Sequence, residues 1–294
     1  MNTIQSGILS PVPLNAMYLT FSLYPGGDPT IALLDLRRIV TGGDTVVGFG
    51  ASLLEVLGAS IPGLHDFPSY SHAGIDIPGT PFALWCWLRG SDRGDLVHKT
   101  RQIRLAVSPG FQLGEIIDAF KYQSGLDLTG YEDGTENPEG DDAVRAGCVQ
   151  GQGEGLDGSS FVAVQKWVHD LNRFESYPVQ EQDNMIGRRK SDNEELEHAP
   201  VSAHVKRAAQ ENFDPEAFVI RRSMPWADSA GEGLVFVAFG KSTDAFEAIL
   251  HRMVGSDDGV FDALFRFTRP VTGSYFWCPP VSHNRLDLRV VGIH

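Results

Sequence analysis

The chain has 294 residues, with 24 Lys and Arg against 38 Asp and Glu, giving a formal charge of −14 at pH 7. An acidic surface of that size repels phosphate backbones and anionic lipid, which argues against a nucleic-acid or membrane-surface role. With 42% hydrophobic and 21% charged residues the chain can bury a sizeable core, and at about 150 residues per domain its length suggests two domains or one domain of two halves.

In chain order, the first seven residues (MNTIQSG) carry no basic n-region and no apolar h-region. No export is therefore expected, and a cytoplasmic location is. Residues 16–24 are rich in aromatic and β-branched side chains and read as a strand, ended by Pro25-Gly26-Gly27. Asp28-Pro29-Thr30 is a helix start, with Ile31, Leu34, Leu36 and Ile39 as the expected buried face. A short strand is expected over 45–49 and a brief helix over 52–57, before a Pro- and Gly-rich stretch at 60–81. Residues 82–88 (FALWCWL) read as a buried strand; such apolar runs of about seven residues fall far short of the roughly 20 that span a bilayer. A helix over 92–103 follows, then a further strand over 104–108. In the second half, strands are expected over 161–168, 218–222 and 233–240, followed by a helix from Asp244 through Met253. Between the halves, residues 134–158 read as a long loop of Gly, Asp and Glu, and ordered loops of that length are often functional. Cys86, Cys148 and Cys278 are far apart with no C-x-x-C spacing, which excludes a thiolate zinc or iron–sulfur framework and argues against a disulfide scaffold.

The segments FALWCWLRGSDRGDLVHKTRQ and LVFVAFGKSTDAFEAILHRM share one order of strand, polar break and amphipathic helix, about half a chain apart. This repeat predicts an α+β fold of two βαββαβ units, with antiparallel sheets facing one another across a common core.

Four local features could carry chemistry. In Gly130-Tyr131-Glu132-Asp133-Gly134-Thr135-Glu136-Asn137-Pro138, glycines on either side of an acid allow a carboxylate to be aimed into a pocket, although Asp-Gly is also an ordinary turn pair. His204 lies in a short helix-like segment, with Ala203 and Ala208 small enough to admit a flat cofactor. In residues 219–225, strand alternation puts Arg221 on one face with Val219 and Ser223, and Arg222 on the other. A buried guanidinium there needs an anionic partner or an anionic transition state. Phe236, Phe239, Phe261, Leu264, Phe265 and Phe267 form an apolar group that suits a core or a cofactor wall equally.

As an ordered set, these features resemble the dye-decolourising peroxidases, most closely the compact B-type branch. An acid in G-x-x-D-G-T followed by N-P, a histidine 71 residues later (204 − 133) and an arginine 17 residues beyond it (221 − 204) match the pattern of that family. Further landmarks are Gln5-Ser6-Gly7-Ile8-Leu9, Ile186-Gly187-Arg188 and the run from Asp262-Ala263-Leu264-Phe265 to Val271-Thr272-Gly273-Ser274. The resemblance implies duplicated ferredoxin-like units forming a dimeric α+β barrel: a half over 1–140 ending in the Asp133 loop, and a half over 141–294 with the haem pocket. It implies one haem b per chain, His204 as proximal iron ligand, and Asp262 as acceptor for the other imidazole nitrogen. Asp133 and Arg221 would act on peroxide, the first as proton shuttle and the second by stabilising charge, with Arg221 and Ser223 near the cofactor. Ser223 stands where many relatives carry Asn. The implied activity is reduction of hydrogen peroxide and oxidation of phenolic, dye-like or other one-electron donors through a ferryl intermediate. Trp167, Tyr177, Trp226 and Tyr275 are candidate electron relays, and a homo-oligomer is expected. Two alternatives remain at this point: a haem carrier or store with incidental peroxidase activity, and a haem-free ferredoxin-like binding module.

Overall fold

A computed structural model describes residues 3–72 and 74–294. Met1 and Asn2, from the stretch read for export, and Ala73, from the Pro- and Gly-rich stretch, lie outside the described residues. The first half runs α1 (Ser6–Leu9), β1 (Asn15–Leu23), α2 (Pro29–Ile39), β2 (Thr45–Phe49), α3 (Ala51–Val56), the hairpin β3 (Tyr70–His72) and β4 (Ile75–Ile77), β5 (Leu84–Gly90), α4 (Arg93–Val107) and β6 (Phe111–Phe120). The second runs α5 (Gly140–Gly147), β7 (Ser160–His169), α6 (Leu171–Glu175), α7 (Val179–Ile186), α8 (His204–Arg207), β8 (Ile220–Arg221), β9 (Met224–Asp228), β10 (Gly231–Gly240), α9 (Asp244–Met253), β11 (Thr268–Pro270) and β12 (Ser274–Cys278).

The first half orders its main strands β6-β1-β5-β2, and the second orders its own β12-β7-β10-β9. Numbered within each half, both read 4-1-3-2, the order of a ferredoxin-like unit. Because β7 pairs with β12 on one side and β10 on the other, the two sheets join into one closed antiparallel barrel. The seams are narrow: Phe49↔Trp277 links β2 to β12, and Ala119↔Trp226 links β6 to β9. The expected duplicated α+β barrel is thus supplied by a single chain.

Alternation sorts the core into layers. Tyr18, Trp85, Trp87, Val235, Val237, Phe239 and Phe276 fill the barrel interior. From the other face of the same strands, Met17, Leu19, Phe21, Leu84, Cys86 and Leu88 meet α2 and α4. Strands buried on both faces read as unbroken apolar runs, which explains FALWCWL. Segment 5–9 plugs one barrel end. Gln5 is wholly buried and bonds both the N–H and the C=O of Val47, while Arg222 donates to the Ile8 and Leu9 carbonyls.

Three local expectations are corrected. In α2, capped by Asp28, the buried residues are Ala32, Leu33 and Leu36, while Ile31 and Ile39 are half exposed. Each residue turns the helix by about 100°, so Ile31 points away from the stripe that begins at Ala32. Residues 104–107 continue α4 instead of forming a strand, because Ile103 and Val107 extend the buried spacing of Leu96 and Thr100. The loop over 134–158 contains α5, whose Ala143 packs into the barrel-side core. The three cysteines are free thiols, all buried.

The halves differ where it matters for a site. In the first, α2 makes the crossover from β1 to β2. In the second, the equivalent crossover from β7 to β9 spans residues 170–223 and carries only the short helices α6, α7 and α8, a 3-10 turn and the edge strand β8. No long helix takes the place of α2 there, and the space between the outer face of β7 and β10 and the helix α9 becomes a cavity.

Candidate active site

The cavity lies between the outer face of β7 and β10 and the helix α9, and opens on one side to solvent. Leu234, Phe236, Phe246, Ile249, Leu250 and Met253 give it apolar walls. Four of the residues expected from the sequence gather around it: His204, Asp133 and Arg221 line it, and Asp262 stands behind His204.

His204 opens α8, which Arg207 anchors by a bidentate pair with Asp258 and by bonds to the Arg252 carbonyl at the end of α9. Its Nδ1 lies 2.7 Å from Asp262 Oδ2. Asp262 has a fully buried side chain whose other oxygen accepts the Leu264 N–H at 2.9 Å, capping the 3-10 turn Ala263–Arg266. A carboxylate acceptor places the imidazole proton on Nδ1, an assignment that follows from the hydrogen bond. The Nε2 lone pair then has no partner among the described residues.

Asp133 is held by the turn around it. Gly134 has φ +79°, and a Cβ there would meet Asn137 Nδ2 at 2.6 Å. Asn137 in turn clasps the backbone of Arg221: its Oδ1 accepts the Arg221 N–H at 2.7 Å and its Nδ2 donates to the Arg221 carbonyl at 3.1 Å. Because β8 is an edge strand paired only with β10 among the described strands, the Asn side chain acts as its missing neighbour. This arrangement brings Arg221 NH1 to 3.6 Å from Asp133 Oδ1, with both side chains mostly shielded. Arg221 Nε is buried without an acceptor among the described residues, as is the donor Gln165 Nε2 on the same cavity wall. Arg222 faces the opposite way, as alternation predicts.

Ser223 is not brought to the cavity; it is buried, and its hydroxyl accepts the Val237 N–H at 3.4 Å. Ala208 lines the cavity, whereas Ala203 is buried behind it, against the space beside Gly187. Of the apolar group, Phe236, Leu264 and Phe267 line the cavity, Phe265 stacks on Trp167 and Phe239 belongs to the barrel interior. Arg188 ties two loops together through Glu136 and the Asn193 carbonyl.

Sequence reasoning missed a second polar cluster on the cavity wall. His169 Nε2 lies 3.0 Å from Asp127 Oδ1, and its Nδ1 lies 2.6 Å from Thr268 Oγ1. Burial alone would lift the Asp127 carboxyl; the hydrogen bond and charge of His169, with two bonds from Thr129, outweigh it and leave the group below its usual range. The period-two series Gln165, Trp167 and His169 on β7 is the signal that could have exposed this wall.

The family model described as "Dyp-type peroxidase, C-terminal" matches residues 124–283, more than half of the chain. A dye-decolourising peroxidase of Rhodococcus erythropolis is 30% identical over 295 residues, covering 94% of this chain and 86% of that protein. The chain belongs to the dye-decolourising peroxidase family. Among solved structures, a Dyp-type peroxidase of Shewanella oneidensis superposes with a TM-score of 0.86 at 29% identity, covering 99% of this chain and 98% of that one. A variant of DypB of Rhodococcus jostii in complex with haem gives 0.84 at 26% identity, with 92% and 94% covered. As in its dye-decolourising relatives, the fold here is a duplicated ferredoxin-like barrel. No helix among the described residues is long and apolar enough to cross a membrane.

Proposed function

We propose that this dye-decolourising peroxidase holds one haem b per chain in the cavity, with His204 Nε2 as the iron ligand and Asp133 and Arg221 acting on hydrogen peroxide. The supporting observation is a histidine whose Nδ1 is fixed by a buried carboxylate and whose Nε2 is left free beside an apolar cavity that also contains an under-used arginine. An apolar slot with three unmet polar contacts suits a flat, largely hydrophobic cofactor with a metal at its centre. When bound, haem accepts both oxidising equivalents of peroxide and releases them to donors one electron at a time.

The chain's own residues supply the rest. Asp262 holds the Nδ1 proton and makes the His204 lone pair a stronger donor. Asp133 takes a proton from incoming peroxide and returns it to the departing oxygen, directly or through water. Arg221 stabilises the negative charge that develops as the O–O bond breaks, and the apolar walls strengthen that interaction by excluding water. Donors are phenols, dyes and similar one-electron reductants, with Trp167, Tyr177, Trp226 and Tyr275 as relays. Trp167 lines the cavity and Trp226 donates from Nε1 to the Trp167 carbonyl at 3.0 Å. The reading further takes 1–140 and 141–294 as the two structural halves, and the protein as a cytoplasmic homo-oligomer that engages neither nucleic acid nor membrane.

A carrier needs a ligand and an apolar slot but not the Asp133–Arg221 pair, so the enzyme is the better reading. The test loads the protein with haem and adds peroxide. A Soret band that His204→Ala removes, and a rapid absorption change that the Asp133→Ala, Arg221→Leu double variant slows about 100-fold, are expected. A Soret band without any peroxide response would favour the carrier, and no haem uptake would favour the haem-free module.

A further inference from the structure

Tyr131 lies two residues before Asp133 and lines the same cavity, yet the peroxide chemistry above does not use it. Its side chain is 5% exposed and packs edge-on against Phe174, at 6.1 Å between ring centres. The hydroxyl donates to Asp183 Oδ1 over 2.6 Å. Asp183, on α7, is itself 8% exposed and receives the Lys190 backbone N–H at 3.0 Å. Among the described residues no Lys or Arg side chain forms an ion pair with it. Tyr18 and Tyr177 lack this arrangement: the Tyr18 hydroxyl meets no acceptor, and the Tyr177 oxygen accepts from Arg173.

A phenol that loses one electron becomes a strong acid. Inside an apolar wall, the positively charged radical would be too costly unless its proton had somewhere to go. We infer that Tyr131 is a redox-active residue of this cavity, giving one electron to the oxidised cofactor while its hydroxyl proton passes to Asp183. The inference rests on the haem peroxidase reading, which supplies the oxidant. The balance is simple. The phenol O–H bond breaks, an O–H bond forms on Asp183, and the oxidised cofactor gains one electron. A phenolic or aromatic-amine donor then returns one electron, and Asp183 returns the proton.

Two features fit a residue that must hold an oxidising equivalent until a donor arrives. Burial first, then the hydrogen bond and charge of Asp183, push the phenol above its ordinary range, so the resting residue keeps its proton. The Lys190 side chain lies over the ring, with Nζ 5.5 Å from its centre, and passes so close to Gly130 that a Cβ there would stand 2.6 Å from Cε.

The test is freeze-quenched electron paramagnetic resonance of the haem-loaded protein after peroxide, scaled to the haem that has reacted and recorded with ordinary and ring-deuterated tyrosine. A tyrosyl signal narrowed by deuteration is expected, and Tyr131→Phe, which keeps the ring packing, should remove it. In Asp183→Asn the amide oxygen still accepts the hydrogen bond but cannot take the proton, so the signal should form about 100-fold more slowly. A purely packing role would leave the radical untouched. The same signal per reacted haem in Tyr131→Phe overturns the assignment of Tyr131 while the peroxidase reading stands. An unmutated protein whose haem does not respond to peroxide at all overturns both.

Discussion

The His204 imidazole meets a single hydrogen-bond partner among the described residues, the buried carboxylate of Asp262, and that bond decides which nitrogen is free. Replacing Asp262 with Asn tests this at the scale of one atom. Asn Oδ1 can still accept the Leu264 N–H, which leaves its NH2 facing His204 Nδ1. A donor at that position favours the other tautomer, with a proton on Nε2 where the iron should bind. Asp262→Asn should therefore fold with its cap intact yet bind haem 10–100-fold more weakly, roughly the loss seen when ligand-orienting partners are removed. Titration of the haem-free variant with haem, followed at the Soret band, measures it. Unchanged affinity would show that Asp262 acts only as a helix cap.

At the scale of elements, the loop over 121–139 and the edge strand β8 form one device, because Asn137 holds the backbone of Arg221 at both of its polar groups. Asn137→Ala removes two hydrogen bonds and should cost about 2 kcal/mol in urea unfolding. It should also slow the peroxide response, since Arg221 would lose its fixed distance from Asp133. A variant that loses stability but reacts with peroxide at the original rate would separate the clasp from the chemistry. The Asp127–His169–Thr268 cluster joins the same loop to β7 and β11. His169→Gln breaks a buried pair and should cost about 3 kcal/mol near neutral pH. The sign with pH follows from Asp127, whose carboxyl is depressed in the folded protein. Its stabilisation is present above the unfolded carboxyl value, about 4, and is lost as pH falls through the lower folded value. The gap between parent and variant should thus narrow below about pH 4; a gap that widens there would mean that Asp127 is not the partner that matters. This cluster also shows where sequence reading stops. Asp133, Arg221, His204 and Asp262 stand in local motifs whose order is visible along the chain. Asp127, His169 and Thr268 meet only because β7 and β11 pair and the loop folds back over them, across 42 and 99 residues. Length and apolar composition likewise revealed β5 and β10, buried on both faces, but spacing did not reveal the phase of α2. An apolar stripe of Ile31, Leu34, Leu36 and Ile39 is as plausible in sequence as the Ala32, Leu33 and Leu36 that the sheet selects, and only Leu36 is common to both.

For the whole molecule, the question is whether two copies of one unit make two domains. Each half has a complete 4-1-3-2 sheet, but neither closes its own core. Tyr18, Trp85 and Trp87 from the first half pack with Val235, Val237, Phe239 and Phe276 from the second inside the barrel, and Lys166 on β7 reaches Glu115 on β6 at 2.7 Å while lying over the Trp226 ring. With only narrow strand pairing at the seams, the halves are joined chiefly by buried side chains, a contact that resembles one domain core cut in two. Separated, residues 141–294 would expose the inner faces of β7, β10 and β12, an apolar surface far larger than a monomer carries in water. The intact chain should therefore unfold in one step, with tryptophan fluorescence, which reports mainly on the barrel interior and its walls, and far-ultraviolet dichroism, which reports on all helices, giving coincident urea transitions. Residues 141–294 expressed alone should aggregate, or bind haem only after residues 1–140 are added. Two separated transitions, or a second half that folds and takes up haem unaided, would show that the duplicated units are independent domains and that the cavity needs no support from the first half.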